Sequence, residues 1–131
     1  MTRTEPKLIR AKDLEFIPAS HEDPKNPGVY KKILAAKDDL ISGQVQMINW
    51  AMMPVGQEFS NHYHEDMEEV FVILSGNAEI LINDRKYSLE QGDAIIIPPL
   101  CHHKMRNLGE CPVEYLVVGV SQGRGGKTVL V

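Results

Sequence analysis

The segment Gly56 to Gly76, GQEFSNHYHEDMEEVFVILSG, constrains the chain more than any other. His62 and His64 stand two residues apart, Glu69 follows five residues after His64, and the segment then enters the apolar run Val70 to Leu74 before Ser75-Gly76. In a β-strand, residues i and i+2 point to the same face, whereas a helix splays that spacing apart. A strand therefore lets His62 and His64 aim both imidazoles at one point. The intervening residues fit a short turn or bulge, after which Glu69 opens the next strand and brings a carboxylate to the same place. Two imidazoles and a carboxylate make a facial set with open positions, suited to Fe(II), Mn(II), Ni(II) or Zn(II).

A fourth donor is expected elsewhere, and His103 supplies it within GDAIIIPPLCHHKMRN, Gly92 to Asn107. Here a turn glycine precedes the apolar run Ala94 to Ile97, a Pro-Pro pair ends that run, and the histidine leads into another short strand. The two segments together resemble the paired motifs of the cupin family. The first motif is matched in full by Gly56, His62, His64, Glu69 and Gly76, and the second by Gly92, Pro98, His103 and Asn107, with Leu100 where the family usually has glycine. The resemblance implies an all-β fold, a double-stranded β-helix or jelly-roll barrel. Its interior would hold one divalent transition metal ion (Mn, Fe, Ni or Zn) on His62, His64, Glu69 and His103. The competing reading is a barrel that has lost its metal, in which the histidines only hydrogen-bond; four intact ligand positions argue against it.

At 131 residues the chain fits one domain with a real core. We divide it into N-terminal strands and a loop (1–28), a core barrel (43–121) and a flexible tail (122–131). A net charge of −4 offers no general attraction for nucleic acid or an anionic membrane, so the expected partner is a small molecule. The N-terminus has no apolar run of signal-peptide type, and Cys101 and Cys111 are too few for a disulfide scaffold, so the expected location is cytoplasmic.

Lys7 to Arg10 and Leu14 to Pro18 read as outer strands, whose unpaired edge, with the family's habit of pairing through its sheets, leads us to expect a homodimer. Ser20 to Gly28 is polar and proline-rich and reads as a loop; its His21 lacks any spaced partner and reads as solvated. Val29 to Ala36 and Gly43 to Met53 follow as strands around the charged turn Lys37 to Asp39. In Gly43 to Met53 one face carries Gln44, Gln46, Ile48, Trp50 and Met52, the other Val45, Met47, Asn49, Ala51 and Met53. Alternation leaves open which face looks inward, and an inward Gln46 or Asn49 would be a natural substrate contact. Asn77 to Asn83 and Lys86 to Leu89 read as a hairpin turning at Asp84-Arg85, and Pro112 to Ser121 as a long last strand. Gly126-Lys127-Thr128 invites a phosphate-loop reading, but that loop needs a glycine at position 121, which is Ser121, and a following helix for which no room remains.

A facial metal site of this kind binds bidentate oxygenated molecules as a Lewis acid, and a redox-active ion also binds dioxygen. Strand parity puts Phe71, Ile73 and Met105 on the ligand face as apolar walls. It puts Tyr63, Glu65 and Glu68 on the opposite one, along with His102. Cys101 lies on the loop at the pocket rim, and Leu100 takes an ordinary φ or a strained one, with a side chain positioned to help close the mouth. No residue stands out as a proton-transfer group, so the catalytic residues are undetermined. Two functions follow: a metal-dependent enzyme acting on a small organic acid or sugar by oxygenase, decarboxylase, isomerase or lyase chemistry, or a non-catalytic ligand- or metal-binding module.

Overall fold

The structure, a computed structural model, describes residues 5, 7–122 and 127–131. Eleven strands run through them: β1 Ile17–Pro18, β2 Tyr30–Ala36, β3 Val45–Met53, β4 His62–His64, β5 Met67–Ser75, β6 Ala78–Ile82, β7 Arg85–Leu89, β8 Ala94–Ile97, β9 His103–Arg106, β10 Val113–Ser121 and β11 Thr128–Leu130. They form two sheets, β1-β2-β3-β10-β5-β8 and β11-β4-β9-β6-β7. The pairings are antiparallel. This is the jelly-roll barrel expected from the two motifs.

Local chemistry sets the strands and their ends. In β10 buried and half-buried residues alternate along all nine positions, so the strand presents one face to the core while β3 and β5 flank it. The β6–β7 hairpin closes on two residues of positive φ, Asn83 at 49° and Asp84 at 68°, with Ile82 facing Arg85 across the turn. That is a type I′ turn, whose twist matches the flanking strands, and Asn and Asp tolerate it best after glycine. The turn thus lies one residue earlier than the expected Asp84-Arg85. Gly76, which ends β5, has φ +83° and sits so close to the Pro112 carbonyl that a Cβ would fall 2.6 Å from its oxygen. Only glycine meets both demands.

Phe59, Met53, Ile73, Ile80, Ile97, Met105 and Val113 are fully buried between the sheets. Two expectations change. Of the N-terminal candidates only Ile17–Pro18 is a strand, paired with Tyr30 and Lys31, while Lys7 to Arg10 is not extended into a sheet and Ala11–Asp13 is a 3-10 turn. At the other end, the expected tail is structured where it is described: Thr128–Leu130 pairs with His62–His64 as β11. Gly123 to Gly126 lie outside the described residues. None of the helices among the described residues is long and apolar enough to cross a membrane.

Candidate metal centre

The histidines of β4 and β9 meet because the two strands are neighbours in register, with His62 directly opposite His103. Alternation in β4 turns His62 and His64 inward and Tyr63 outward. Glu69 arrives from the other sheet, on β5, where it lies opposite Gly119 of β10 and Ile97 of β8. One donor atom from each of His62, His64, Glu69 and His103 lies within 4.8 Å of the others, and all four residues are buried. The two sheets therefore supply one cluster jointly.

Each imidazole is oriented from behind. His62 Nδ1 donates to the Ser60 carbonyl at 2.6 Å and His103 Nδ1 to the Cys101 carbonyl at 3.0 Å. His64 Nδ1 lies 3.0 Å from Thr128 Oγ1. A carbonyl only accepts, so Nδ1 carries the proton in the neutral rings of His62 and His103, and the lone pair is on Nε2. Those Nε2 atoms face the cluster. His64 Nε2 is 2.9 Å from Glu69 Oε1, and His103 Nε2 is 3.2 Å from the same oxygen.

The arrangement is incomplete as protein alone. His103 Nε2 is buried with no hydrogen-bond partner, although a carboxylate oxygen lies beside it. Burial by itself raises the Glu69 carboxyl, while hydrogen bonding from and positive charge at His103 and His64 hold it well below the usual carboxylate range, an effect that in rings protonated on Nδ1 needs a cation in place of the Nε2 protons. His62 goes the other way: burial, with the neighbouring His21 and His103, pushes it down to about 3, leaving its ring neutral. An ionised carboxylate facing imidazole lone pairs calls for a cation between them. Metal–donor bonds of about 2.1 Å at right angles separate the donors by about 3.0 Å, close to the 2.9 and 3.2 Å seen here. The cluster suits a metal ion.

Beside it opens a cavity of about 140 Å³. Met47, Asn49 and Ala51 line it, so the face of β3 that carries Val45 to Met53 looks inward and the face with Gln46 and Trp50 looks away. Trp50 Nε1 instead donates to Glu114 Oε1 at 3.1 Å. Of the three expected walls Phe71 lines the cavity, while Ile73 and Met105 pack deeper in the core. Phe59, absent from the expectation, stands edge-on to His103 with ring centroids 5.9 Å apart.

The largest departure from expectation is His21. It is not a solvated loop residue: it stacks on His62 with centroids 4.2 Å apart and 25° between planes, and it lines the cavity. Glu22 holds it there. The Glu22 carboxylate accepts the Gly28 N–H at 2.9 Å on Oε1, the Ser60 N–H at 2.8 Å on Oε2, and faces His21 Nδ1 at 2.9 Å on Oε2. These bonds overcome the cost of burial and keep Glu22 below the ordinary carboxylate range, while burial lowers His21 despite that carboxylate. Gly28 makes the fold-back possible, since a Cβ there would lie 1.8 Å from the Glu58 carbonyl oxygen. The sequence carries only a faint sign of this: a His-Glu pair with a glycine six residues on.

Residues 49–119 match the family described as the cupin domain. The chain belongs to the cupin family. An uncharacterized protein of Methanocaldococcus jannaschii is 33% identical over 78 residues, 60% of this chain and 62% of that protein. The glucose-6-phosphate isomerase of Pyrococcus furiosus is 29% identical over 106 residues, 72% of this chain and 56% of the enzyme. This cupin thus spans about three-fifths of the length of these relatives. The crystal structure of a predicted oxalate decarboxylase from Thermotoga maritima aligns with a TM-score of 0.78 at 21% identity, over 88% of this chain and 99% of that one, a likeness of fold.

The remaining cupin motif positions now acquire physical roles. Asn107, fully buried, donates from Nδ2 to the Met53 and Cys111 carbonyls and accepts the Gly109 N–H on Oδ1, closing the turn that follows β9. Leu100 adopts φ +68°, the strained alternative, and its side chain is 66% exposed and outside the cavity lining, so it does not close the mouth. Glu65 and Glu68 are exposed, and Tyr63 pairs with Val129 on the outer face of β4. His102 does not line the cavity, and its backbone N–H donates to Asn83 Oδ1. Cys101 touches the site only through the carbonyl that orients His103.

Proposed function

We propose that this cupin is a metal-dependent enzyme acting on a small oxygenated molecule, an organic acid before a sugar. The observation that carries the reading is the convergence of the imidazoles of His62, His64 and His103 with the Glu69 carboxylate beside a cavity of about 140 Å³. These four residues hold one divalent ion (Mn, Fe, Ni or Zn) through Nε2 of the histidines and a carboxylate oxygen. When bound, such an ion supplies Lewis acidity and, if redox-active, a means of engaging dioxygen. Phe59 and Phe71 exclude water from the reacting groups. Lys31, whose amine is drawn below the ordinary lysine value by burial, adds a cation to the lining that favours an anionic substrate. The cavity of about 140 Å³ is well below the roughly 300–1,000 Å³ that drug-sized ligands occupy, which favours an organic acid over a sugar phosphate. The relatives' names, which specify glucose 6-phosphate and oxalate, keep decarboxylase and isomerase chemistry in view alongside oxygenase and lyase chemistry. His21, braced by Glu22, places a polar group near the donors where a bound molecule can meet it.

The same reading takes the chain as a single cupin domain working in the cytoplasm, where its two unpaired cysteines stay reduced. It also takes it as a homodimer, with the exposed edge strand β1 buried against a second copy; a monomeric mass by light scattering at micromolar concentration contradicts that element.

The test begins with elemental analysis. Wild type and His21→Ala carry up to one metal ion per chain, and the His62→Ala, His64→Ala double variant carries none. Metal-loaded protein is then incubated with small hydroxy-acids, dicarboxylates and sugars, with and without dioxygen, and products are read by mass spectrometry. Glu69→Gln removes the negative donor and lowers turnover by more than it lowers metal occupancy. Tight metal-dependent binding of a compound that stays unchanged with every metal assigns the protein to the binding modules instead.

A further inference from the structure

Asn49 is the clearest unspent polar group in the molecule. It is only 8% exposed, it lines the cavity, and its Oδ1 has no hydrogen-bond partner. β3 carries it between Met47 and Ala51, and across the sheet it faces Val117, so neither its own strand nor β10 offers that oxygen a donor. A buried acceptor without a donor is disfavoured unless something that visits the site supplies one. Tyr115, two residues before Val117 on the same inward face of β10, lines the same cavity, and its hydroxyl has no hydrogen-bond partner among the described residues. His21 is the third such group. Its Nδ1 is committed to Glu22 Oε2 at 2.9 Å, while its other ring nitrogen has no protein partner among the described residues.

We propose that Asn49 and His21, with the Tyr115 hydroxyl, form a hydroxyl-recognition subsite beside the donor cluster, so that the substrate is a polyhydroxylated acid: one end at the four donors, a further hydroxyl at this subsite. A hydroxyl suits these groups because it both donates and accepts. It donates its one proton to Asn49 Oδ1 or to the free nitrogen of His21, an acceptor because Nδ1 carries the ring proton toward Glu22, and it accepts from the Tyr115 hydroxyl. A methyl group in its place leaves Asn49 Oδ1 buried and unpaired. Sites built to bond a substrate hydroxyl reject the analogue that lacks it far more strongly than apolar pockets reject an added group. The subsite rests on the metal-dependent reading above and adds to it which acids are accepted.

The experiment compares glycerate with lactate, both enantiomers of each, by calorimetry on Mn(II)-loaded protein. Both acids offer the same carboxylate and 2-hydroxyl, and they differ by one further hydroxyl. Glycerate should bind at least roughly tenfold more tightly. Asn49→Leu, which keeps the volume, and His21→Phe, which keeps the stack on His62, should each bring the ratio toward one with metal content unchanged. Equal affinities in the wild type, or a preference that both variants retain, overturn the subsite. The wild-type comparison decides without any variant, so a variant that misfolds protects nothing. If the wild type takes up no metal, the metal-dependent reading fails separately. The Asn49 side-chain amide resonances of metal-free protein then decide the subsite: a shift with glycerate and none with lactate supports it, and no shift with either refutes it.

Discussion

Leu100 carries the most visible local strain in the site's surroundings. A non-glycine residue in the left-handed region costs about 1–2 kcal/mol, and Leu100 stays at φ +68° because its N–H donates to the His64 carbonyl at 2.8 Å, tying the loop after β8 to β4. Its exposed side chain returns little burial. Leu100→Gly should therefore stabilise the protein by about 0.5–1 kcal/mol after the extra chain entropy of glycine is subtracted. Chemical denaturation checks this, and a lower stability of the variant contradicts it. The motif spacing pointed to this position as the one departure from the family and left open an ordinary or strained φ. The choice depends on a hydrogen bond to a residue 36 positions earlier, which no local pattern encodes.

At the scale of elements, what was legible was whatever lies on one strand or one turn. The His62–His64 pair, Glu69, His103 and the strand boundaries of the core follow from alternation and punctuation. What was not legible is what other elements bring to them: the fold-back of the loop bearing His21 and Glu22 onto Ser60, and the return of the C-terminal segment as β11. Gly-rich composition after Ser121 suggested a loose tail, but three residues beyond it find an open edge on β4, and edge pairing outweighs composition. That strand delivers Thr128 Oγ1 to within 3.0 Å of His64 Nδ1, from 64 residues away. Groups that orient a ligand from behind are commonly worth tenfold to a hundredfold in metal affinity. Thr128→Val keeps shape and removes the hydroxyl, so metal affinity measured by chelator competition should fall by about tenfold while the fold persists. An unchanged affinity shows that β11 only covers the edge.

For the molecule as a whole, the cluster is a seam between sheets: three histidines come from one sheet and Glu69 from the other. Without metal the seam is a liability in acid. His62 is pushed down to about 3 in the folded state from an ordinary 6.5, chiefly by burial. The unfolded chain therefore binds a proton that the folded one refuses, and stability present above pH 6.5 is lost as pH falls toward 3. Between pH 7.5 and 5.5 this one residue costs about 1.4 kcal/mol. His21, lowered by burial, acts in the same direction, and Glu22, held below its ordinary 4.5, adds a further loss under that value. A metal that binds only the folded seam works against this, adding about 4 kcal/mol at a thousandfold excess over its dissociation constant. Denaturation at pH 7.5 and 5.5, with chelator and with metal, measures both effects. The chelated protein should lose at least about 1.4 kcal/mol between the two values, and His62→Ala should be less sensitive. Equal stability at both pH values in chelator would mean that His62 is not held as a neutral ring in the folded barrel.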